Sequence, residues 1–504
     1  MPDNIRAIKT LGQLKKAGYE SRSIKDEIRE NLISKLKNKE NPFPGIFGYE
    51  DSVIPDTERA LLSRHNILYL GLRGQAKTRM ARQMVSLMDE YIPVIKGSEV
   101  NDDPLKPVSA FATELIKQMG DETPIEWLHR SARYGEKLAT PDVSVADLIG
   151  DIDPIKAANM KLSFADERVL HYGIIPRSNR GIFVINELPD LQARIQVSLF
   201  NILEEGDLQI RGFKLRLPLD VMFIFTANPE DYTNRGSIVT PLKDRIESQI
   251  LTHYPKSLDT ALTIAGQEAR IMEQQHKKVR ISDIIKRLIA QVSFEARESE
   301  LVDRKSGVSA RLTISAMENA VSSAERRAII NGETQTQVWI SDLAGILPSI
   351  TGKIELVYEG EQEGPFQVAF NLLERSIRTQ FKNLFPDPDS LKKRKNEKDE
   401  NPYRNIIQWF DSGNMVELNV DISDKERAET LKQVPGLADV ITRYFPKSNN
   451  DEQILLMEFL LHGLAANSLI SKKMTEGTVS FRDLVGSMFS FQQQEEEENE
   501  NDDF

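Results

Sequence analysis

Two short segments carry residue types whose spacing could do chemistry. The first is Gly71, Leu72, Arg73, Gly74, Gln75, Ala76, Lys77 and Thr78, two glycines followed by a lysine and a hydroxyl. Backbone N–H groups in such a loop, together with the first turn of a following helix, concentrate positive potential where a phosphate can sit. Gly71 and Gly74 permit close approach and unusual dihedral angles. In that setting Lys77 reaches the β- and γ-phosphates of a bound triphosphate and Thr78 holds Mg²⁺. One departure is visible, because the usual second glycine of the pattern is Ala76. The second segment is GIFVINEL (181–188), an apolar run that ends in Asn186 and Glu187. At the carboxyl edge of a parallel sheet, Glu187 would polarise an attacking water and Asn186 would help hold the water shell of the cation. Each segment has a plainer reading. The first is also an ordinary strand–turn–helix corner that happens to contain Gly and Lys, and the second an Asn-Glu pair that ends a buried strand.

Both segments need a particular framework. HNILYLGL (65–72) is a short apolar run leading into the glycine turn and then into the helical stretch TRMARQMVSLMDEYI. GIFVINEL and DVMFIFTANP (220–229) read as two further buried strands, rich in β-branched and aromatic residues. Apolar runs separated by helical segments predict an α/β fold, a mainly parallel sheet with helices on both faces. Residues 1–40 read as polar helix, and NPFPGIFGYED (41–51) as the loop that opens the α/β core, which runs to 254. From about 255 the strand signals stop. Apolar residues at three-and-four spacing predict a helical lid over 255–352, then a mostly helical region over 353–490 with a charged linker at 391–402. The tail, 491–504, reads as disordered.

Composition narrows the classes. A chain of 504 residues is longer than one hydrophobic core usually supports. The formal net charge is −12, but the last ten residues contribute seven acids, leaving about −5 for the body. That balance gives no support for nucleic-acid binding, which needs local positive charge. The chain has no cysteine, which removes disulfides, thiolate metal sites and cysteine nucleophiles. No run is apolar and long enough to span a membrane, and the N-terminal stretch does not read as a secretory signal, so a cytoplasmic location is expected.

Beyond the two motifs, LATPDVSVADLIGDIDPIKA, then HYGIIPRSNRGIFVINELPDLQARIQVSLFNILEEGDLQIRG, then FIFTANPEDYTNRGSIVTPLKDRI together resemble AAA+ ATPases with a helix-two insert. The resemblance is to the ATPase subunit of magnesium chelatase and to MoxR-type ATPases, whose alanine-containing phosphate loop GQAKT is similar to. It covers about 42–255 well and 256–350 loosely. It implies an ATP-hydrolysing motor that uses ATP and Mg²⁺ and works as a homo-oligomeric ring, a hexamer, with an arginine acting across the subunit boundary. Most such relatives carry Asp where this chain has Asn186. The resemblance assigns sensor 1 to Asn228, the arginine finger to Arg245 with Arg235 as its competitor, and sensor 2 to Arg311. It gives Ile46, Phe47 and Gly48 to a loop wrapping the adenine, although a turn leading into the domain explains them too. IGDIDPIKA (149–157) lies where the insert begins. A von Willebrand A-domain protein is the partner that the family implies.

Two other functions compete. A transcriptional activator acting on polymerase with an alternative sigma factor shares ELPDLQARIQVSLFNILEEGD, but its GAFTGA loop is replaced here by IGDIDPIKA, and no helix-turn-helix is evident near the C-terminus. A nucleotide-binding scaffold without turnover is motivated by Ala76 and Asn186.

Overall fold

The computed structural model describes residues 5–162, 166–209, 216–229, 237–393, 401–475 and 477–484. Arg235, most of the charged linker and the acidic tail lie outside the described residues. The chain divides into two compact units, Met1–Tyr254 and Pro255–Phe504.

Unit 1 is built on five parallel strands: β1 (Ile67–Leu70), β2 (Tyr134–Leu138), β3 (Gly181–Asn186), β4 (Val221–Ala227) and β5 (Ser248–Leu251), in the order β5-β1-β4-β3-β2. All six residues of β3 and all seven of β4 are buried, as the uninterrupted apolar runs predict for strands covered on both faces. Alternation then assigns the two faces. Leu68, Phe183, Ile185, Phe223 and Phe225 enter one core cluster, while Ile67, Tyr69, Ile182, Val184, Met222 and Ile224 enter the other. The rings of Phe183 and Phe223 meet edge-on at 6.1 Å, and Phe223 and Phe225 stack at 5.9 Å.

Three helices of this unit pack near the ends of those strands or lead out of them: α1 (Ile24–Lys37), α2 (Val53–Leu62) and α3 (Lys77–Gln83). Helix α1 starts at Ser23, whose Oγ accepts from the Asp26 amide at 3.1 Å, and it buries Ile24, Ile28 and Leu32 in the same cluster as Ile67. Between β2 and β3 the IGDIDPIKA segment opens an antiparallel hairpin, Gly150–Ile152 against Leu170–Tyr172. A side chain at Gly150 would meet the His171 carbonyl at 2.4 Å, and its φ is +122°, so only glycine suits the place. The helix Pro154–Met160 inside this hairpin begins at Asp153, whose Oδ1 accepts from the Ile155 and Lys156 amides at 2.9 and 3.0 Å.

Unit 2 contains the long helices α4 (Asp283–Glu298), α5 (Arg311–Ile330), α6 (Pro365–Leu384) and α7 (Asn450–Ala466). One core cluster runs from Ala265 to Phe481, so the 255–352 and 353–490 segments bury their apolar faces together. The expectation that strands end near 255 is corrected by this unit. β6 (Val416–Asn419), β7 (Ser471–Thr475) and β8 (Thr478–Arg482) form an antiparallel three-stranded sheet in the order β6-β8-β7. Their sequences, VELN, SKKMT and TVSFR, are short and mix polar with apolar residues, so they carry little hydropathy signal. Among the described residues no helix is long and apolar enough to cross a membrane.

Candidate functional site

The carboxyl ends of β1, β3 and β4 lie side by side, and the predicted chemical residues collect there. The chain leaves β1 at Leu70, turns through Gly71 to Ala76, and enters α3 at Lys77. Gly71 donates its N–H to the Ala227 carbonyl at 3.1 Å, and a Cβ on it would fall 2.0 Å from Thr252 Oγ1 and 2.2 Å from Gln75 Oε1. The loop is therefore pinned to the ends of β4 and β5, and a side chain at 71 would have to displace the Thr252 hydroxyl and the Gln75 amide. Gly74 has a φ of +72°. Ala76 sits at φ +56°, ψ +17°, the left-handed region that the usual glycine would occupy freely, immediately before the first turn of α3. Lys77 is buried and donates from Nζ to the carbonyls of Gly71 and Leu72.

The loop is braced from behind by residues that motif reading does not single out. The Tyr49 hydroxyl donates to the Gln75 carbonyl at 2.7 Å and lies 3.0 Å from the His253 carbonyl, while Tyr254 donates to the Arg73 carbonyl at 2.8 Å. Thr252 Oγ1 donates to Gln75 Oε1 at 2.7 Å. Tyr49 directly follows Ile46, Phe47 and Gly48, so that segment adjoins the phosphate loop; Ile46 is buried, Phe47 is 36% exposed and Gly48 has a φ of +80°. Burial pushes the Tyr49 phenol well above its usual range, so it serves as a donor.

At the next strand the hydroxyl of Thr78 donates to Asn186 Oδ1 at 3.0 Å. Thr226 on β4 accepts the Glu187 amide at 3.1 Å and passes its own proton to the same Asn186 oxygen, also at 3.1 Å. Asn186 Nδ2 donates at 2.8 Å to Glu136 of β2. Glu136 further accepts from both Nε and Nη2 of Arg82 at 2.9 Å and from the Tyr134 hydroxyl at 2.9 Å. Those bonds, led by the Arg82 guanidinium, hold the Glu136 carboxyl below the usual carboxylate range. Glu187 leaves β3 in the left-handed region, φ +56° and ψ +48°, a conformation that costs a non-glycine residue roughly 1–2 kcal/mol. Asn228 follows β4 directly and is 3% exposed.

Thus the structure brings together Gly71–Thr78, Asn186, Glu187 and Asn228 at one edge of the sheet. The remaining two arginines are placed differently. Arg245 is half-buried and bonds from Nε to Glu204 at 2.8 Å and from Nη1 to the Pro241 carbonyl at 2.9 Å, its guanidinium 4.8 Å from the Phe200 ring. Its acidic partner is Glu204, where sequence proximity offers Asp244. Arg311 is exposed at the first turn of α5, in unit 2.

Sequence comparison matches part of this framework: residues 125–246 fit the model of the AAA domain, dynein-related subfamily. The chain carries an AAA domain. The matched interval contains Asn186, Glu187, Asn228 and Arg245, whereas the phosphate loop precedes it. Over 201 residues the chain is 22% identical to the magnesium-chelatase 38 kDa subunit of Cereibacter sphaeroides, covering 39% of this chain and 54% of that protein. Over 227 residues it is 23% identical to the subunit of the same name from Rhodobacter capsulatus, covering 44% and 59%. The chain thus spans little more than half the length of these curated relatives. A chain of the magnesium chelatase BchI–BchD complex, seen by cryo-EM, is 18% identical with a TM-score of 0.34, covering 64% of this chain and 98% of that one.

The residues at this edge of the AAA domain fit a magnesium nucleotide. The donor set is made of hard neutral or anionic oxygens, Thr78 Oγ1, Asn186 Oδ1 and the Glu187 carboxylate, which suits a small divalent cation that keeps several waters. The glycine-lined turn opens onto a helix N-terminus, which suits phosphate.

Proposed function

We propose that this chain is an ATP-binding and ATP-hydrolysing AAA+ motor subunit, similar to the magnesium chelatase ATPase subunit and to MoxR-type ATPases, that remodels or activates a partner protein. The observation that carries the reading is the ladder Thr78–Asn186–Thr226–Glu187, which ties the helix after the phosphate loop to the strand bearing the candidate base.

In this reading the amides of 71–78 and the start of α3 cradle the phosphates, and the Lys77 ammonium exchanges its loop carbonyls for phosphate oxygens. Thr78 and Asn186 hold Mg²⁺, whose charge offsets that of the β- and γ-phosphates. Glu187 accepts the proton of the attacking water, and Asn228 orients that water against the γ-phosphate. Ile46, Phe47 and Gly48 border the adenine. Arg245 leaves Glu204 on ring assembly and offers its guanidinium to a neighbouring subunit's ATP, while Arg311 senses the nucleotide from the lid. The assembly is a homo-oligomeric ring, a hexamer by family likeness, with a von Willebrand A-domain protein as the kind of partner it drives, in the cytoplasm.

Phosphate release from purified protein with ATP and Mg²⁺ tests this. Glu187→Gln should lower turnover by at least about a hundredfold while ATP still binds, since general-base assistance contributes roughly 10²–10⁴-fold. Equal turnover in that variant would remove Glu187 from the role.

A further inference from the structure

The residue at the end of β3 that faces the cation site is a neutral amide, and an amide has two unlike ends. Only its oxygen can serve a divalent cation; its NH₂ group would repel one. Which end faces Thr78 is therefore a functional question, and the hydrogen bonds around Asn186 answer it from both sides. Glu136 Oε1 takes Arg82 Nη2 and Asn186 Nδ2, and Oε2 takes Arg82 Nε and the Tyr134 hydroxyl, so all four contacts are donors. A carboxylate so surrounded can only accept, which forces the NH₂ of Asn186 toward it. On the other side Thr226 accepts the Glu187 amide and donates its own proton to Asn186 Oδ1, so the oxygen end of the amide lies there. Thr78 donates to that same oxygen.

We infer that Glu136 is a positioning residue for the magnesium site: it fixes the Asn186 amide with its oxygen toward Thr78 and places a full negative charge one side chain behind that oxygen. The inference rests on the nucleotide reading of this edge. It explains how a neutral amide stands where a carboxylate would attract the cation more strongly. The charge is present, but one strand further out, on β2, delivered through the amide. Arg82, on the last turn of α3, couples the same carboxylate to the helix that begins with Lys77 and Thr78. Partners that orient a metal's ligands typically change metal affinity or activity by 10–100-fold when removed.

The test uses the full chain and a fluorescent ADP analogue, titrated with Mg²⁺ from an EDTA-treated start. Glu136→Gln puts an NH₂ group where only donors lie, and leaves Asn186 free to flip. The expected result is analogue binding in EDTA equal to wild type, which also reports an intact fold, with the Mg²⁺ midpoint raised about tenfold. Asn186→Asp combined with Glu136→Gln reverses the polarity of the pair, so it should bring the midpoint back toward wild type. A wild-type Mg²⁺ midpoint in Glu136→Gln overturns the inference while leaving the nucleotide reading in place. Failure of the wild-type chain to bind the analogue at all overturns that reading and this inference with it.

Discussion

Ala76 and Glu187 share a conformation that side chains avoid, and both stand where the phosphate loop meets the candidate base. Such strain persists where the surroundings over-determine the backbone, as the Gly71 and Thr226 bonds do here. At position 76 a left-handed alanine costs roughly 1–2 kcal/mol, while glycine costs about 0.4–1 kcal/mol more in lost unfolded-chain freedom. Ala76→Gly should accordingly raise stability by about 0.5–1 kcal/mol, read as a shift of the urea midpoint, without loss of nucleotide binding. A lowered midpoint would show that the alanine methyl makes a contact worth more than its strain. At this scale the sequence is most legible for residues next to one another: Gly71 to Thr78 and Asn186–Glu187 announce themselves by spacing. Glu136 and Thr226 do not, because each matters only through a neighbour on another strand. A charged residue within YGEKL looks like any solvated edge until β2 is laid beside β3.

The elements that position the site are readable where strands are buried on both faces. β1, β3 and β4 stand out as unbroken apolar runs because helices cover the sheet twice. β2 (YGEKL) and β5 (SQIL), at the edges, include polar residues and give no such run, and neither do the strands of unit 2. The bonds that fix α1 to this sheet are also invisible in periodicity. Arg133, 1% exposed, makes two 2.8 Å bonds to the carboxylate of Glu27, itself 4% exposed, and a third to the Arg180 carbonyl. Removing one partner strands the other charge in a dry place, which typically costs about 3–5 kcal/mol. Glu27→Ala should therefore destabilise the chain by about that amount in urea unfolding. A loss below about 1 kcal/mol would mean water reaches Arg133 readily. By the same logic Phe223→Ala, which empties a ring packed against Phe183 and Phe225, should cost about 3–5 kcal/mol.

Across the whole molecule the two units make different demands. Unit 2 buries a histidine, His462, on α7, and desolvation, followed by repulsion from Lys472 and Arg427, pushes its pKa well below the ordinary 6.5. The unfolded chain then takes up a proton that the folded chain refuses, so stability is full above about pH 6.5 and falls as pH drops below it, by up to about 1.4 kcal/mol per pH unit. Trp339 and Trp409 lie in this unit and report its unfolding; His462→Gln should flatten the acid slope of their fluorescence midpoint, and an unchanged slope would assign it to other groups. That unit's sequence announces its helices by their three-and-four spacing but carries no motif that names a chemistry. The central claim concerns unit 1, a triphosphate gripped at Lys77, and equilibrium binding of a fluorescent ATP analogue to wild type and Lys77→Ala tests it most directly. Binding by wild type in the micromolar range or tighter, weakened at least about tenfold in the variant, is the predicted result, since losing one charge-assisted contact removes about 1.5–3 kcal/mol. Equal binding by the two proteins, or none by either, would contradict it.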